Sequence, residues 1–244
     1  MEIARAAAGL FVSRGLKATR AEDIALAAGI APRTFYRYFA TKEEAVAPLY
    51  ASGAQRWAEA VREAPAELTV PEALEHAVRY TLVPGRGVSA ASWEWVRTLI
   101  RLAGASPALG KVWAEVCHAS EATLAQVLAE RTAVSSSSRT PASENLSENL
   151  SENTSESTSE AMSDGTSGAA ADAASAPTPA SDNVASPYQR FTAAVAGAAV
   201  RVAVESWAVT DSPPTGRQGP AELALRNLRA LRGFAWEESP AEEP

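Results

Sequence analysis

Residues 21–42, AEDIALAAGIAPRTFYRYFATK, decide the fold of this chain. Ile24 and Ala28 repeat at helical spacing, and Gly29 follows at a turn position where a positive φ carries no Cβ penalty. Pro32 then stands in the first turn of a second helix, a position that proline favours. Two short helices joined by a tight turn are typical of a helix-turn-helix. The stretch therefore predicts a domain whose second helix can enter the major groove of DNA.

The predicted second helix has an apolar face and a polar face. Phe35 and Phe39 lie four residues apart and face inward, while donor side chains crowd the remaining surface. We expect Arg33, Thr34 and Arg37 to contact bases or adjacent phosphates, because they lie on the face that would enter the groove.

A further helix is predicted to begin at Thr41 and Lys42, so that its backbone N–H groups and the lysine charge can meet one phosphate together. A small amphipathic hairpin with a solvated basic face would show the same pattern, but the run of aromatic and basic residues favours DNA binding. The full set of predicted DNA contacts is Arg20, Arg33, Thr34, Tyr36, Arg37, Tyr38, Thr41 and Lys42.

Residues 3–46 resemble the N-terminal domain of the TetR family of one-component transcriptional regulators. The residues that carry the resemblance are Ala7, Leu10-Phe11, Gly15, Asp23-Ile24-Ala25, Ala28-Gly29-Ile30, Thr34-Phe35-Tyr36, Tyr38-Phe39 and Lys42-Glu43. The resemblance implies a non-enzymatic repressor that binds a palindromic operator as a homodimer and leaves it when a small effector binds. Beyond this domain it extends only to the helical layout.

The start of the second helix departs from this pattern. Thr19 and Glu22 have the spacing of a capping box. Members of the family usually carry Ser or Thr where this chain has Arg20. Two starts for the helix therefore stay open, and in the later one Arg20 is available for a phosphate.

The rest of the chain divides by composition and helical periodicity. We predict an all-α protein of about nine helices: a helix-turn-helix domain (1–46), a helical effector-binding and dimerisation domain (47–132 and 188–234), a disordered acidic insert (133–187) and an acidic tail (235–244). Predicted helix starts are Lys42 for the fourth, Pro71 for the fifth, Ser89 or Ser92 for the sixth, Ser106-Pro107 for the seventh and Pro187 or Tyr188 for the eighth, with the last helix ending at Gly233.

The negative charge of the chain is concentrated in the predicted insert. The formal net charge is −7, and residues 133–187 hold eight acidic residues against Arg139 alone, so this stretch accounts for all of it. Its Ser-Glu-Asn repeats are poor in apolar side chains, which predicts a solvated spacer. An acidic interaction arm is the alternative interpretation. Residues 1–50 are basic on balance, as phosphate binding requires.

Bulky side chains on the middle helices are candidates for an effector pocket, although each could equally be part of the core. The candidates are Trp57, His76, Tyr80, Trp93, Trp113 and Cys117, with Trp95 and His118 as lesser ones. The Trp-dotted, Ala-rich helices resemble, weakly, family members that sense acyl-CoA-like or other apolar molecules. The last two long helices match those that pair as a dimer bundle in the family.

Other functional classes find little support in the sequence. Glu115 and His118 form half of a di-metal helix motif, but the other half is missing around His76. We therefore expect no catalytic site, no metal and no cofactor. A single cysteine, no secretory leader and no membrane-length apolar run predict a cytoplasmic protein without a membrane partner. A DNA-binding regulator controlled by protein partners alone stays open.

Overall fold

The computed structural model describes residues 1–85, 90–137 and 184–237. Over these ranges the predicted all-α fold is confirmed, with nine α-helices and no β-strand. The helices are α1 (Glu2–Arg14), α2 (Ala21–Ala27), α3 (Pro32–Tyr38), α4 (Ala47–Arg62), α5 (Val70–Thr81), α6 (Ala90–Ala105), α7 (Pro107–Ser137), α8 (Pro187–Ala208) and α9 (Pro220–Ala230). Most of the predicted insert, and all but the first residues of the predicted tail, lie outside the described residues. In the described ranges we found no helix with the length and hydrophobicity that crossing a membrane requires.

The first three helices form a small domain around a shared apolar core. Phe11 of α1, Ile24 of α2 and Phe35 of α3 are each at most 1% exposed and pack together. Gly15 ends α1 with φ 86° and Gly29 makes the turn between α2 and α3 with φ 68°. A side chain at either position would strain the backbone. The bounds of α1 and the helix-turn-helix arrangement are as predicted.

The predicted capping box at Thr19 and Glu22 is wrong. Thr19 is buried, and its hydroxyl donates to the carbonyl of Gly15 at 2.9 Å. The N-cap of α2 is Arg20, whose backbone N–H donates to the carboxylate of Asp23 at 2.9 Å. The helix takes the later of the two possible starts because the Thr19 hydroxyl is used to satisfy the C-terminal end of α1.

The predicted helix start at Thr41 and Lys42 is also wrong. A single 3₁₀ turn, Glu44–Val46, comes first, and α4 begins at Ala47 with Pro48 in its first turn. Proline suits that position because it has no N–H to donate and its φ is already helical. The residues proposed to hold a phosphate at a helix N-terminus therefore stand before the helix, in a turn.

Smaller differences occur at the other helix ends. Helix α5 begins at Val70, one residue before the predicted Pro71, because Thr69 forms a capping box with Glu72 that sequence reasoning overlooked. The Glu72 carboxylate accepts hydrogen bonds from the Thr69 hydroxyl and backbone N–H, and these bonds lower the pKa of Glu72. Helix α6 begins at Ala90, between its two predicted starts, and α7 continues to Ser137, inside the predicted insert. Helix α9 ends at Ala230, before the predicted Gly233.

The remaining helices form a bundle that is joined to the N-terminal domain. Helix α4 packs on α5 and α7, and α8 packs on α7 and α9. Helix α6 belongs to both parts. Its Leu99 and Ala103 lie in the core of the N-terminal domain, whereas Trp93 and Ile100 pack on Trp207 of α8. The two parts of the molecule therefore share one helix as a structural element.

Two arginines of α6 hold the end of α8. Arg97 is 7% exposed, lies over the ring of Trp207 at 4.3 Å and donates to the carbonyl of Ser212. Arg101 donates to the carbonyl of Thr210 at 2.7 Å and to Asp211 at 2.9 Å. Cations are favourable at a helix C-terminus because its last carbonyls are unpaired. These bonds fix the orientation of α6 relative to α8.

Candidate DNA interface and effector cavity

Helix α3 presents its polar side chains to solvent and its apolar ones to the core. Phe35 is fully buried, and Phe39 is half-buried beside it with ring centroids 5.5 Å apart. Of the predicted DNA contacts, those exposed to solvent are Arg20, Arg33, Tyr36, Arg37, Tyr38 and Thr41. Thr34 and Lys42 are half-buried. Six of the eight predicted side chains are thus accessible to a bound molecule, and their contact with DNA stays a prediction.

Arg37 and Tyr38 orient each other on that surface. The Arg37 guanidinium donates to the Tyr38 hydroxyl at 3.2 Å and lies 5.0 Å from the centre of its ring. An arginine held over an aromatic ring keeps its remaining donors in a fixed plane. Such a plane suits the two acceptors on the major-groove edge of guanine, or a phosphate.

Tyr36 is linked to the first helix of the motif. Its hydroxyl donates to the carboxylate of Glu22 at 3.1 Å. This hydrogen bond is the main cause that raises the pKa of Tyr36, with burial and the charge of Glu22 adding to it. The bond ties α3 to α2 at their exposed ends and leaves the hydroxyl oxygen as an acceptor.

Lys42 makes contacts within the domain that the sequence did not indicate, and its contact with a phosphate stays a prediction. Its ammonium donates to the carbonyls of Leu16 and Thr19, at 2.6 and 2.8 Å. These carbonyls belong to the connection between α1 and α2, so Lys42 holds that connection against the end of α3. With these donors directed inward, the ammonium has less to offer a phosphate than its charge suggests. The sequence could not show this contact because its partners lie more than twenty residues away.

The C-terminal domain contains an apolar cavity of about 410 Å³, lined by residues of α4, α5, α6, α7 and α8. Five of the six predicted pocket residues line it: Trp57, Tyr80, Trp93, Trp113 and Cys117. His76 is exposed on α5 and is not in the lining. Trp95 is also outside, with its ring against Gly9 of α1, where an added Cβ would lie 3.5 Å away. His118 is exposed and faces Glu121 at 3.5 Å.

Two further residues of the lining were missed by sequence reasoning. The Tyr50 hydroxyl donates to the carbonyl of Leu99 at 3.0 Å, and its ring meets that of Trp113 edge-on at 5.0 Å. Burial raises the pKa of Tyr50 well above its ordinary value. Arg201 enters from α8. Tyr50 could have been found from its spacing, since it stands two helical turns before Trp57 on the same face of α4.

Hydrogen bonding in the cavity wall is uneven. The indole N–H of Trp113 donates to Glu205 at 2.7 Å, and Arg201 pairs with the same carboxylate at 3.2 Å. Among the described residues, the indole N–H groups of Trp57 and Trp93 are buried without a partner. A buried donor without an acceptor is costly. Both residues line the cavity, but their N–H groups are buried within the protein.

Cys117 and the acidic residues near it are the potential metal ligands of this cavity. Burial raises the pKa of the Cys117 thiol to about 11, against a smaller lowering by Arg201. The thiol is therefore neutral at physiological pH, whereas a metal needs the thiolate. No group of three potential ligands occurs in the part of the chain that the structure describes.

Comparison with known proteins agrees with this architecture. Residues 3–47 match the model of a family described as bacterial regulatory proteins, tetR family. A search of curated proteins found no match. Among solved structures, the chain is similar to Thermus thermophilus FadR, described as a TetR-family transcriptional repressor in complex with lauroyl-CoA. The similarity has a TM-score of 0.51 at 20% sequence identity and covers 100% of this chain and 98% of that chain. Residues 3–47 therefore match the model of the tetR family, and the chain as a whole has a fold similar to that of a repressor of this family.

Proposed function

We propose that this regulator is a homodimeric repressor that binds a palindromic operator and leaves it when a small apolar molecule occupies the cavity. One observation carries the proposal. The apolar cavity and the exposed polar helix α3 are connected by the same two helices, α4 and α6. A lauroyl-CoA complex of the similar repressor is consistent with an apolar ligand here.

The outer face of α8 supports the dimer. Phe191, Val202 and Val209 are 55%, 45% and 74% exposed, and their spacing places them on one side of the helix. A stripe of exposed apolar residues marks an interaction surface. A two-fold axis beside this stripe would bring the same residues of two chains together and present two α3 helices to DNA. A palindromic operator follows from that symmetry.

Contacts around Tyr50 supply a path from the cavity to the DNA-binding domain. Tyr50 on α4 and Leu99 on α6 both line the cavity, and both belong to the core that contains Phe35. They are also joined by the hydrogen bond between the Tyr50 hydroxyl and the Leu99 carbonyl. A ligand that moves either side chain therefore acts on the packing beneath α3. This would change the distance between the two recognition helices of the dimer.

Arg37→Ala is expected to weaken operator binding by about 1–3 kcal/mol, because it removes a guanidinium held in position by Tyr38. Fluorescence anisotropy of a labelled duplex from the upstream region of the regulator's own gene, with random duplex as competitor, measures the loss. The control is Arg79→Ala, since Arg79 lies on α5 and pairs with Glu75. Equal weakening on random DNA would assign Arg37 to phosphate binding and contradict the base contact.

Ligand release is tested by adding apolar compounds to the same protein–DNA complex. We expect a compound that binds the cavity to release the duplex from the unmodified protein. Val200→Phe should abolish the response, because Val200 lines the cavity and a phenyl ring would occupy part of its volume. Val134→Phe, at an exposed position on α7, should leave the release by the compound unchanged. Release that persists in Val200→Phe would place the ligand elsewhere, and release by a protein partner alone would favour the regulator without a small effector.

A further inference from the structure

The charges around the cavity limit which molecules it can hold. We propose that the effector is an uncharged lipophile, and that the cavity discriminates against lipophilic anions of the same size. This inference rests on the proposed function, since it names the class of ligand for the same cavity.

The charged residues of the lining are more acidic than basic. The lining contains Glu59, Glu63 and Glu121 against Arg56 and Arg201, and of the three carboxylates Glu59 is paired with Arg62 at 2.7 Å. Arg201 is already paired with Glu205 at 3.2 Å, and Arg56 has an interaction of its own. A carboxylate that enters the cavity therefore loses its hydration, and both cations of the described lining already interact with other groups. Desolvating a charge without a counter-charge is unfavourable.

The protein's own acidic groups report the same environment. Cys117 and Tyr50 both line the cavity, and burial is the main cause that raises the pKa of each. For Cys117, Arg201 opposes the shift, while Glu205 and Glu121 add to it. The wall thus disfavours a negative charge at two separate positions. A ligand anion placed beside them would experience the same desolvation and the same carboxylates.

Glu121 is the carboxylate best placed to act on a ligand. It lies on α7 with its side chain 31% exposed, and its Cγ is 3.6 Å from the position that a Cβ on Gly197 would occupy. Its stem therefore reaches across to α8 at the edge of the cavity, close to Cys117. A partly buried charge acts more strongly over a few ångströms than one in open water.

The test compares undecanone, decanoate and decyltrimethylammonium, which have nearly the same size but are neutral, negative and positive. Binding to the full-length protein at neutral pH is followed by quenching of tryptophan fluorescence and by release of labelled DNA. We expect undecanone to bind at least about tenfold more tightly than decanoate, the factor that corresponds to one unfavourable interaction of about 1.4 kcal/mol. The cation should bind more tightly than decanoate, because Glu63 and Glu121 oppose a negative charge and attract a positive one.

The variant Glu121→Gln tests whether this carboxylate is a cause of the selection against anions. Removing this charge should strengthen decanoate binding about fivefold, as expected for one partly exposed charge a few ångströms away, and leave undecanone binding unchanged. Glu115→Gln is the matched control, because Glu115 lies on the same helix, is 62% exposed, pairs with Lys111 and is outside the lining. It should change neither affinity.

The outcomes separate this inference from the proposed function. If decanoate binds as tightly as undecanone and still releases DNA, the charge selection is overturned while the ligand-released repressor stands. An affinity for decanoate that is the same in Glu121→Gln and in the unmodified protein would also overturn it. If none of the three compounds quenches the tryptophans or releases DNA, both the inference and the proposed cavity function are contradicted.

Discussion

Phe35→Ala is expected to abolish operator binding and to lower the free energy of unfolding by about 3–5 kcal/mol, the usual cost of a buried phenyl ring. Phe35 is fully buried and packs with Phe11 and Ile24, so its ring is the contact that joins α3 to the other two helices of the domain. Without it, α3 has only seven residues and too few bonds to stay helical alone. Circular dichroism during thermal unfolding and anisotropy with labelled operator measure the two effects.

The neighbouring residue supplies the control for this prediction. Tyr36→Phe removes one exposed hydroxyl and its bond to Glu22, and keeps the ring. It should change the free energy of unfolding by at most about 1 kcal/mol. A Phe35→Ala protein as stable as Tyr36→Phe, or one that still binds the operator tightly, would show that the α3 side chains are held by something other than this core.

Val202→Glu is expected to convert the dimer into monomers and to weaken operator binding at least about hundredfold. Val202 stands in the middle of the apolar stripe of α8, and a two-fold axis there would place two buried carboxylates near each other. A monomer has one recognition helix instead of two, so it loses the contacts of one half-site. Analytical ultracentrifugation measures the mass, and anisotropy measures the affinity.

Val134→Glu is the matched control for the dimer prediction. Val134 is also an exposed valine on a long helix, 56% accessible on α7 and outside the stripe. The Val134→Glu protein should remain dimeric and bind DNA with the affinity of the unmodified protein. A Val202→Glu protein that sediments as a dimer and binds the operator like Val134→Glu would move the interface to another face.

Local sequence signals gave accurate predictions wherever the deciding residues are close in the chain. Gly15 and Gly29 end their helices by adopting the positive φ that other residues avoid, and Pro187 begins α8 with Ser186 as its cap. The polar and apolar faces of α3 were also predictable from Phe35 and Phe39. These features depend on steric preferences and helical periodicity, which operate over one or two turns.

Predictions failed where two local solutions were nearly equal, or where a contact joins residues far apart in the chain. Thr19 could cap α2 or satisfy the end of α1, and its hydroxyl donates to the carbonyl of Gly15 at the end of α1. The bonds of Lys42 to the carbonyls of Leu16 and Thr19 were missed because these partners are more than twenty residues away. Helix α4 starts at Ala47 because Pro48 favours the first turn of a helix, a local signal that the predicted start at Lys42 left out.

The sequence by itself determined the fold class of the protein: an all-helical chain whose N-terminal domain carries a helix-turn-helix with a polar second helix. Tertiary structure alone decided which aromatic side chains enclose the cavity. Trp57, Trp93 and Trp113 reach it, whereas Trp95 packs against α1 and His76 faces solvent. The physical reason is that helical periodicity separates an apolar face from a polar one, but an apolar face can meet a filled core, a neighbouring helix or an open space. The angle and distance between helices determine which of these it meets, and they depend on contacts such as those of Tyr50 with Leu99 and Trp113 with Glu205, far apart in the chain.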